Sequence, residues 1–224
     1  MPISSTNTNA ERPLDATSSK MLVTIHGLKP YYYQDALRAD RSFSTNEVKA
    51  REFGFGWHFH PEYQLKLTLC GQGYRLIGDN ISPVEPGDLV FTGPNVPHAW
   101  RNDPGLTSDA VHFVTLLFRE DCLGPDFFQQ PEMAEIHSLL RRSQRGLHLR
   151  GETRRRTSDR MLRCLQAEAF SRVLILLELL HDLASSAEWD PITTTEFRPA
   201  LDQRDAERMT RICSYLEQQF FAMV

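Results

Sequence analysis

The chain has 224 residues, a formal charge of -4, 24% charged residues and 41% hydrophobic residues, which is the balance of an ordinary folded protein and excludes a disordered acidic or basic chain. That length accommodates one barrel or sandwich domain, with or without a helical appendage, and needs no disulfides. Charge nominates no nucleic-acid partner. Cys70, Cys122, Cys164 and Cys213 stand too far apart to form a local zinc or redox motif, so free thiols in a reducing cytosol are expected.

Residues 1–19 are rich in Ser, Thr, Asn and Pro and lack the basic start and apolar centre of a signal peptide, so they read as a disordered tail. From about 20 to 120, short alternating or β-branched runs are separated by Gly, Pro, Asn and Asp. Strands are expected at 21–26, 46–53, 58–70, 74–77, 88–91 and 110–118, with turns at 72–73, 78–80 and 85–88. The fold class is mainly β with α: a jelly-roll-like double-stranded barrel followed by helices.

Beyond Phe118 the period lengthens. Residues 131–142 place Met133, Ile136, Leu139 and Leu140 at helical spacing behind a proline suited to a first turn. A longer helix is expected over 159–185, where Phe170, Val173, Leu174, Leu177, Leu180 and Ala184 make one stripe that Leu176, Leu179 and Leu183 widen. Such a helix is buried on two sides or joins a second copy; Phe170, Val173, Leu174, Leu177 and Leu180 are the candidate dimer contacts. Its most apolar run, 173–180, is much shorter than the roughly 20 residues of a membrane span and contains Glu178, so no membrane partner and a cytoplasmic location are expected. Residues 191–199 have turn composition, and a last amphipathic helix is expected over 203–224 with no closing signal.

The chemically richest stretch is GFGWHFHPEYQLKL, residues 54–67. Strand alternation puts His58 and His60 on one face, followed without a bulge by Gln64, Lys66 and Thr68, while Leu65, Leu67 and Leu69 take the other. Pro61 is the residue that could shift this register. A second stretch, GDLVFTGPNVPHAWRN at 87–102, delivers His98 and Trp100 after a turn in which Asn95 tolerates a left-handed backbone. His58, His60 and His98 then admit three readings: a divalent-metal site, the lining of a ligand pocket, or structural histidines. Nine arginines between 141 and 163 read as a solvated helix face rather than a phosphate patch.

The His-x-His pair, Gly71, Gly87, Asn95, His98 and Asn102 together resemble the two cupin motifs, in which two His and a Glu from the first motif and a His from the second hold a metal. Gln64 stands where that Glu belongs. A neutral amide is a weaker ligand than a carboxylate, which favours a pocket without a cofactor over a metal centre. The whole ordered pattern from 21 to 186, including HPEYQLKL, PGD, PHAW and FSRVLILLELLHDLA, is similar to the sensor part of AraC-type transcription regulators.

The resemblance implies an effector-binding barrel over 20–120, a helical dimerisation region and linker over 121–200, and at 201–224 the first helix of a helix-turn-helix domain cut short. It implies a small polar effector such as a sugar, held by His58, His60, Gln64, Lys66, His98 and Trp100. It also implies homodimerisation, no catalysis, and contact with promoter DNA only through a further domain. The rivals are a metal-dependent cupin enzyme of the dioxygenase or isomerase class and a shortened regulator acting through mixed dimers.

Overall fold

The computed structural model describes residues 31–32, 41–54, 56–102 and 110–197. The expected strand at 21–26 and helix at 203–224 lie outside them, as does Cys213. The strands are β1 (Tyr31–Tyr32), β2 (Phe43–Ala50), β3 (His58–Phe59), β4 (Tyr63–Cys70), β5 (Gly73–Ile77), β6 (Asn80–Val84), β7 (Leu89–Thr92), β8 (His98–Asn102), β9 (Val111–Phe118), β10 (Leu147–Leu149) and β11 (Trp189–Pro191). One sheet has the order β1-β3-β8-β5-β6 and the other β11-β10-β7-β4-β9-β2. All pairings are antiparallel except β1 with β3.

The continuous strand expected over 58–70 is two strands in different sheets, because Pro61 cannot donate to a ladder. β3 pairs with β8 through His58 and His98, while β4 runs between β7 and β9. The chain therefore changes sheets at the proline. β1, β6, β8, β10 and β11 were not expected as strands. β6 is a polar edge strand interrupted by Pro83, and β8 carries the segment that sequence pattern placed at the end of a turn.

Alternation along β4 survives the break. Leu65 and Leu67 belong to an apolar core with Tyr63, Phe91, Leu116 and Phe118 on the same sheet and with Leu139, Leu140, Leu176, Leu179 and Leu180 from the helices. Each fully buried leucine of this kind contributes about 1.5–3 kcal/mol relative to exposure. A second, smaller core lies between the sheets and holds Phe53, Ile77, Val84, Val90, Val96, Trp100, Val111 and Phe113.

The helices are α1 (Ala134–Arg142), α2 (Gly151–Gln166) and α3 (Ala169–Ala184). The single helix expected over 159–185 is thus two helices. Ala167 and Glu168 are extended and Ala169 has φ 46°, which turns the chain between them. α2 begins eight residues early because its buried face is Thr153, Thr157, Met161 and Cys164, and threonines carry little hydropathy. Salt bridges from Arg160 to Glu178 and Asp182 tie α2 to α3.

The proposed dimer stripe divides. Leu180 is buried in the intrachain core, with no exposed surface, so it is withdrawn from the dimer contacts: its hydrophobic partners are already in its own chain. Val173 and Leu177 are half-buried against that core. Phe170 is 69% exposed and Leu174 46%.

Candidate functional site in the barrel interior

Three short elements converge between the sheets. β3 supplies His58, the corner after it His60, and β8 supplies His98 and Trp100. All are buried. The imidazole centroids of His58 and His98 are 4.4 Å apart, those of His60 and His98 4.9 Å, and those of His58 and His60 5.9 Å. One ring nitrogen from each lies within 4.8 Å of the others. The loop before β8 is shaped by Asn95, whose φ is 59° and whose N–H donates to the His60 carbonyl at 2.7 Å. That bond fixes the His60 corner against the turn that presents His98.

The protonation sense of the rings follows from their backbone partners. His58 Nδ1 lies 2.7 Å from the Gly56 carbonyl oxygen, and His98 Nδ1 lies 2.8 Å from that of Val96. A carbonyl only accepts, so both Nδ1 atoms carry the proton and both Nε2 atoms are acceptors. His98 Nε2 is buried without a hydrogen-bond partner among the described residues. His60 sits between two oxygens: its Nδ1 is 3.4 Å from a carboxylate oxygen of Glu62 and its Nε2 3.4 Å from Gln64 Oε1.

Burial holds the His58 imidazolium down, to a pKa of about 4, helped by the neighbouring His60 and Lys66. Burial and the charges of His58 and His60 hold His98 well below the usual histidine range. Both rings are therefore neutral near pH 7.

Lys66 follows Gln64 on the interior face of β4. Its Nζ lies 4.0 Å from the Trp100 ring centroid, 3.8 Å from that of Phe113 and 5.4 Å from that of Phe53. Burial lowers its pKa to about 7, against the opposing pull of Asp88. The ring faces also favour the charged form. Asp88 itself is engaged, receiving Arg75 Nη1 from β5 and standing 3.1 Å from His148 Nε2 on β10. The Trp100 indole N–H is buried with no acceptor among the described residues.

His58, His60, Gln64, Lys66, His98 and Trp100 thus all reach the barrel interior. Sequence pattern did not foresee the Phe53 and Phe113 rings around Lys66, nor the Arg75, Asp88 and His148 group. Phe113 had a signal, because it alternates with the interior Val111 and Thr115 on β9. Arg75 had none, since an arginine in a strand is usually at the surface. Asn102, part of the motif resemblance, has a structural use: its Oδ1 accepts from the Phe53 N–H at 2.8 Å.

The cupin fold implies a metal, and this donor set fits one. His58 and His98 are neutral and oriented at Nδ1 by the Gly56 and Val96 carbonyls, as histidine ligands of transition ions generally are, and His60 brings a ring nitrogen within 4.8 Å of theirs. His58, His60 and His98 would hold the ion.

The AraC-like ligand binding domain family matches residues 42–184, and the chain belongs to that family. Its two-sheet barrel with appended helices is a cupin fold. Among solved structures, the chain is similar to a cupin 2 conserved barrel domain protein from Salinispora arenicola, with 18% identity over 52% of this chain and 94% of that one and a TM-score of 0.33. It is also similar to the AraC-like transcriptional activator CuxR, with 11% identity over 56% of this chain and 41% of that one and a TM-score of 0.39. A comparison with curated proteins finds no match. Among the described residues no helix is long and apolar enough to cross a membrane.

The depressed His58 pKa has a signed consequence. Between pH 6.5 and about 4 the unfolded chain binds a proton at His58 that the folded chain refuses, so stability rises with pH across that window and is lost as pH falls through it. The expected loss from pH 7.5 to 4.5 is on the order of 3 kcal/mol from His58, read by urea unfolding of chelator-treated protein. Equal stability at the two pH values would refute the buried neutral state.

Proposed function

We propose that this chain is the sensing part of an AraC-type regulator, binding a small polar effector inside the barrel and performing no catalysis. The carrying observation is that two buried polar atoms, His98 Nε2 and Trp100 Nε1, have no hydrogen-bond partner among the described residues and stand beside Lys66 and its aromatic neighbours. Buried polar groups left without partners cost stability, and a ligand that satisfies them recovers it. Imidazole and amide groups suit hydroxyls, and an indole face covers the apolar side of a sugar ring. Occupancy would favour one arrangement of barrel and helices over another and bias an attached promoter-binding unit.

A second reading, favoured by the tethered Nδ1 atoms, adds a divalent transition ion held by His58, His60 and His98. Bound there, an ion would supply Lewis-acid attraction for an oxygen of the effector. Self-association is the third element. Phe170 and Leu174 expose apolar surface on α3 with Val173 and Leu177 beside them, next to a groove of about 600 Å³ lined by Arg41, Phe43, Glu168 and Arg172. A second copy pairing through this face would bury it in a homodimer.

Each element has its own measurement. In a thermal-shift screen of polar metabolites, an effector present at 100 times its Kd should stabilise the protein by about 2.7 kcal/mol. His98→Asn and Trp100→Phe should each weaken binding by about tenfold, roughly 1.4 kcal/mol; unchanged affinity in both variants would remove the barrel as the site. Metal analysis of the purified protein should find near-stoichiometric iron, manganese or zinc if the second reading holds, and His58→Asn should lose it. A metal content unaffected by that substitution would discard the three-histidine centre. In light scattering, Phe170→Asp with Leu174→Asp should convert a dimer into a monomer, and an unaltered dimer would locate the contact elsewhere.

A further inference from the structure

Donors and acceptors in the barrel interior are segregated, and that segregation selects a chemical class of ligand. At the histidine end, the Val96 carbonyl fixes the proton of His98 on Nδ1, so the unpartnered Nε2 can only accept. It calls for a hydroxyl. At the other end, the Trp100 indole N–H can only donate, as can Lys66 in the ammonium form that the surrounding ring faces favour.

The charge there also lacks a counter-ion at contact distance among the described residues. Among the described residues no carboxylate forms an ion pair with Lys66: Asp88 gives Oδ1 to Arg75 and His148 and acts on Lys66 only from longer range. Aromatic faces surround the ammonium and supply only a quadrupole. Burying an ammonium without a close counter-ion is costly, and the cost shows as a Lys66 pKa lowered to about 7, which an anion beside it would raise again. A neutral ligand would leave it so. The two ends are close enough for one small molecule, since the His98 and Trp100 rings are 5.5 Å apart and Lys66 Nζ lies 4.0 Å from the Trp100 ring centroid.

Building on the effector-binding reading above, we infer that the ligand is a hydroxylated carboxylate, such as a sugar acid, whose carboxylate meets Lys66 and the Trp100 N–H while a hydroxyl donates to His98 Nε2. The anion draws the ammonium from the aromatic faces into an ion pair, and charge-assisted hydrogen bonds replace the weaker ring contact. Lys66 is then the specificity-determining residue between acids and their neutral counterparts.

Matched pairs test this on the chelator-treated full chain at constant ionic strength: D-glycerate and glycerol, D-gluconate and D-glucose, D-galacturonate and D-galactose, followed by thermal shift and calorimetry. At least one acid should bind at least tenfold more tightly than its neutral partner. Lys66→Met, which fills the same space between Trp100 and Phe113, should fold and abolish that preference, and Lys66→Arg should retain part of it. A neutral partner binding as tightly as its acid would overturn the hydroxy-acid assignment and leave the effector reading standing. So would acid binding that is unchanged in Lys66→Met or that appears only after metal is added. Silence from every pair would overturn the assignment, while the wider metabolite screen separately decides whether the barrel binds any effector.

Discussion

Strand β4 belongs to two interiors at once, and most of the molecule is arranged around that. Leu65 and Leu67 point into the core shared with α1 and α3, while Gln64, Lys66 and Thr68 point between the sheets. A side-chain period of two makes this division automatic, and a slip of one residue would bury lysine among leucines. The helices fix the register because their leucines accept only one face. Packing of the helical layer thereby aims the polar row, though no helical residue enters the barrel interior among the groups that surround Lys66.

This separation lets one domain hold a costly polar interior. Leu139, Leu140, Leu176, Leu179 and Leu180 secure the outer core, a cluster separate from the one that holds Trp100 and Phe113. Lys66 and His98 can then remain poorly satisfied without endangering the fold as a whole. The inner core is smaller and aromatic, with Phe53, Trp100 and Phe113. Those rings exclude water from Lys66 and also lower the cost of its charge. Desolvation and ring attraction act in opposite directions on the same proton.

Sequence pattern exposed the barrel, the helical appendage and the interior set from His58 to Trp100, because each rests on alternation or helical period. It misplaced what depends on local backbone events. Pro61 ends β3, and the chain enters the other sheet two residues later, yet His60 and Gln64 still meet because the corner conserves their side of the barrel. Ala169 at positive φ splits what periodicity joined into one helix. The assignment of Leu180 to a dimer face failed because a wide apolar stripe does not say which part faces its own sheet. Asp88 and Arg75 find each other only through the pairing of the sheets, which no local pattern encodes.

The sense of the hydrogen bonds was hidden for a different reason: it is set by backbone oxygens. Gly56 and Val96 each stand two residues before a histidine, and each offers a carbonyl to Nδ1 of that ring. The same local device on β3 and β8 therefore turns two Nε2 lone pairs inward, whatever the side chains at 56 and 96. His60 stands differently, with Nε2 3.4 Å from Gln64 Oε1 and Nδ1 3.4 Å from a Glu62 carboxylate oxygen. A carboxylate missing from position 64 has not left the site without an acid; it stands behind His60 rather than beside the shared centre. An acid in front of the ring would compete with an anionic ligand for the space at the centre. With the neutral Gln64 in front, the space beside Lys66 and Trp100 keeps room for the anionic group proposed above.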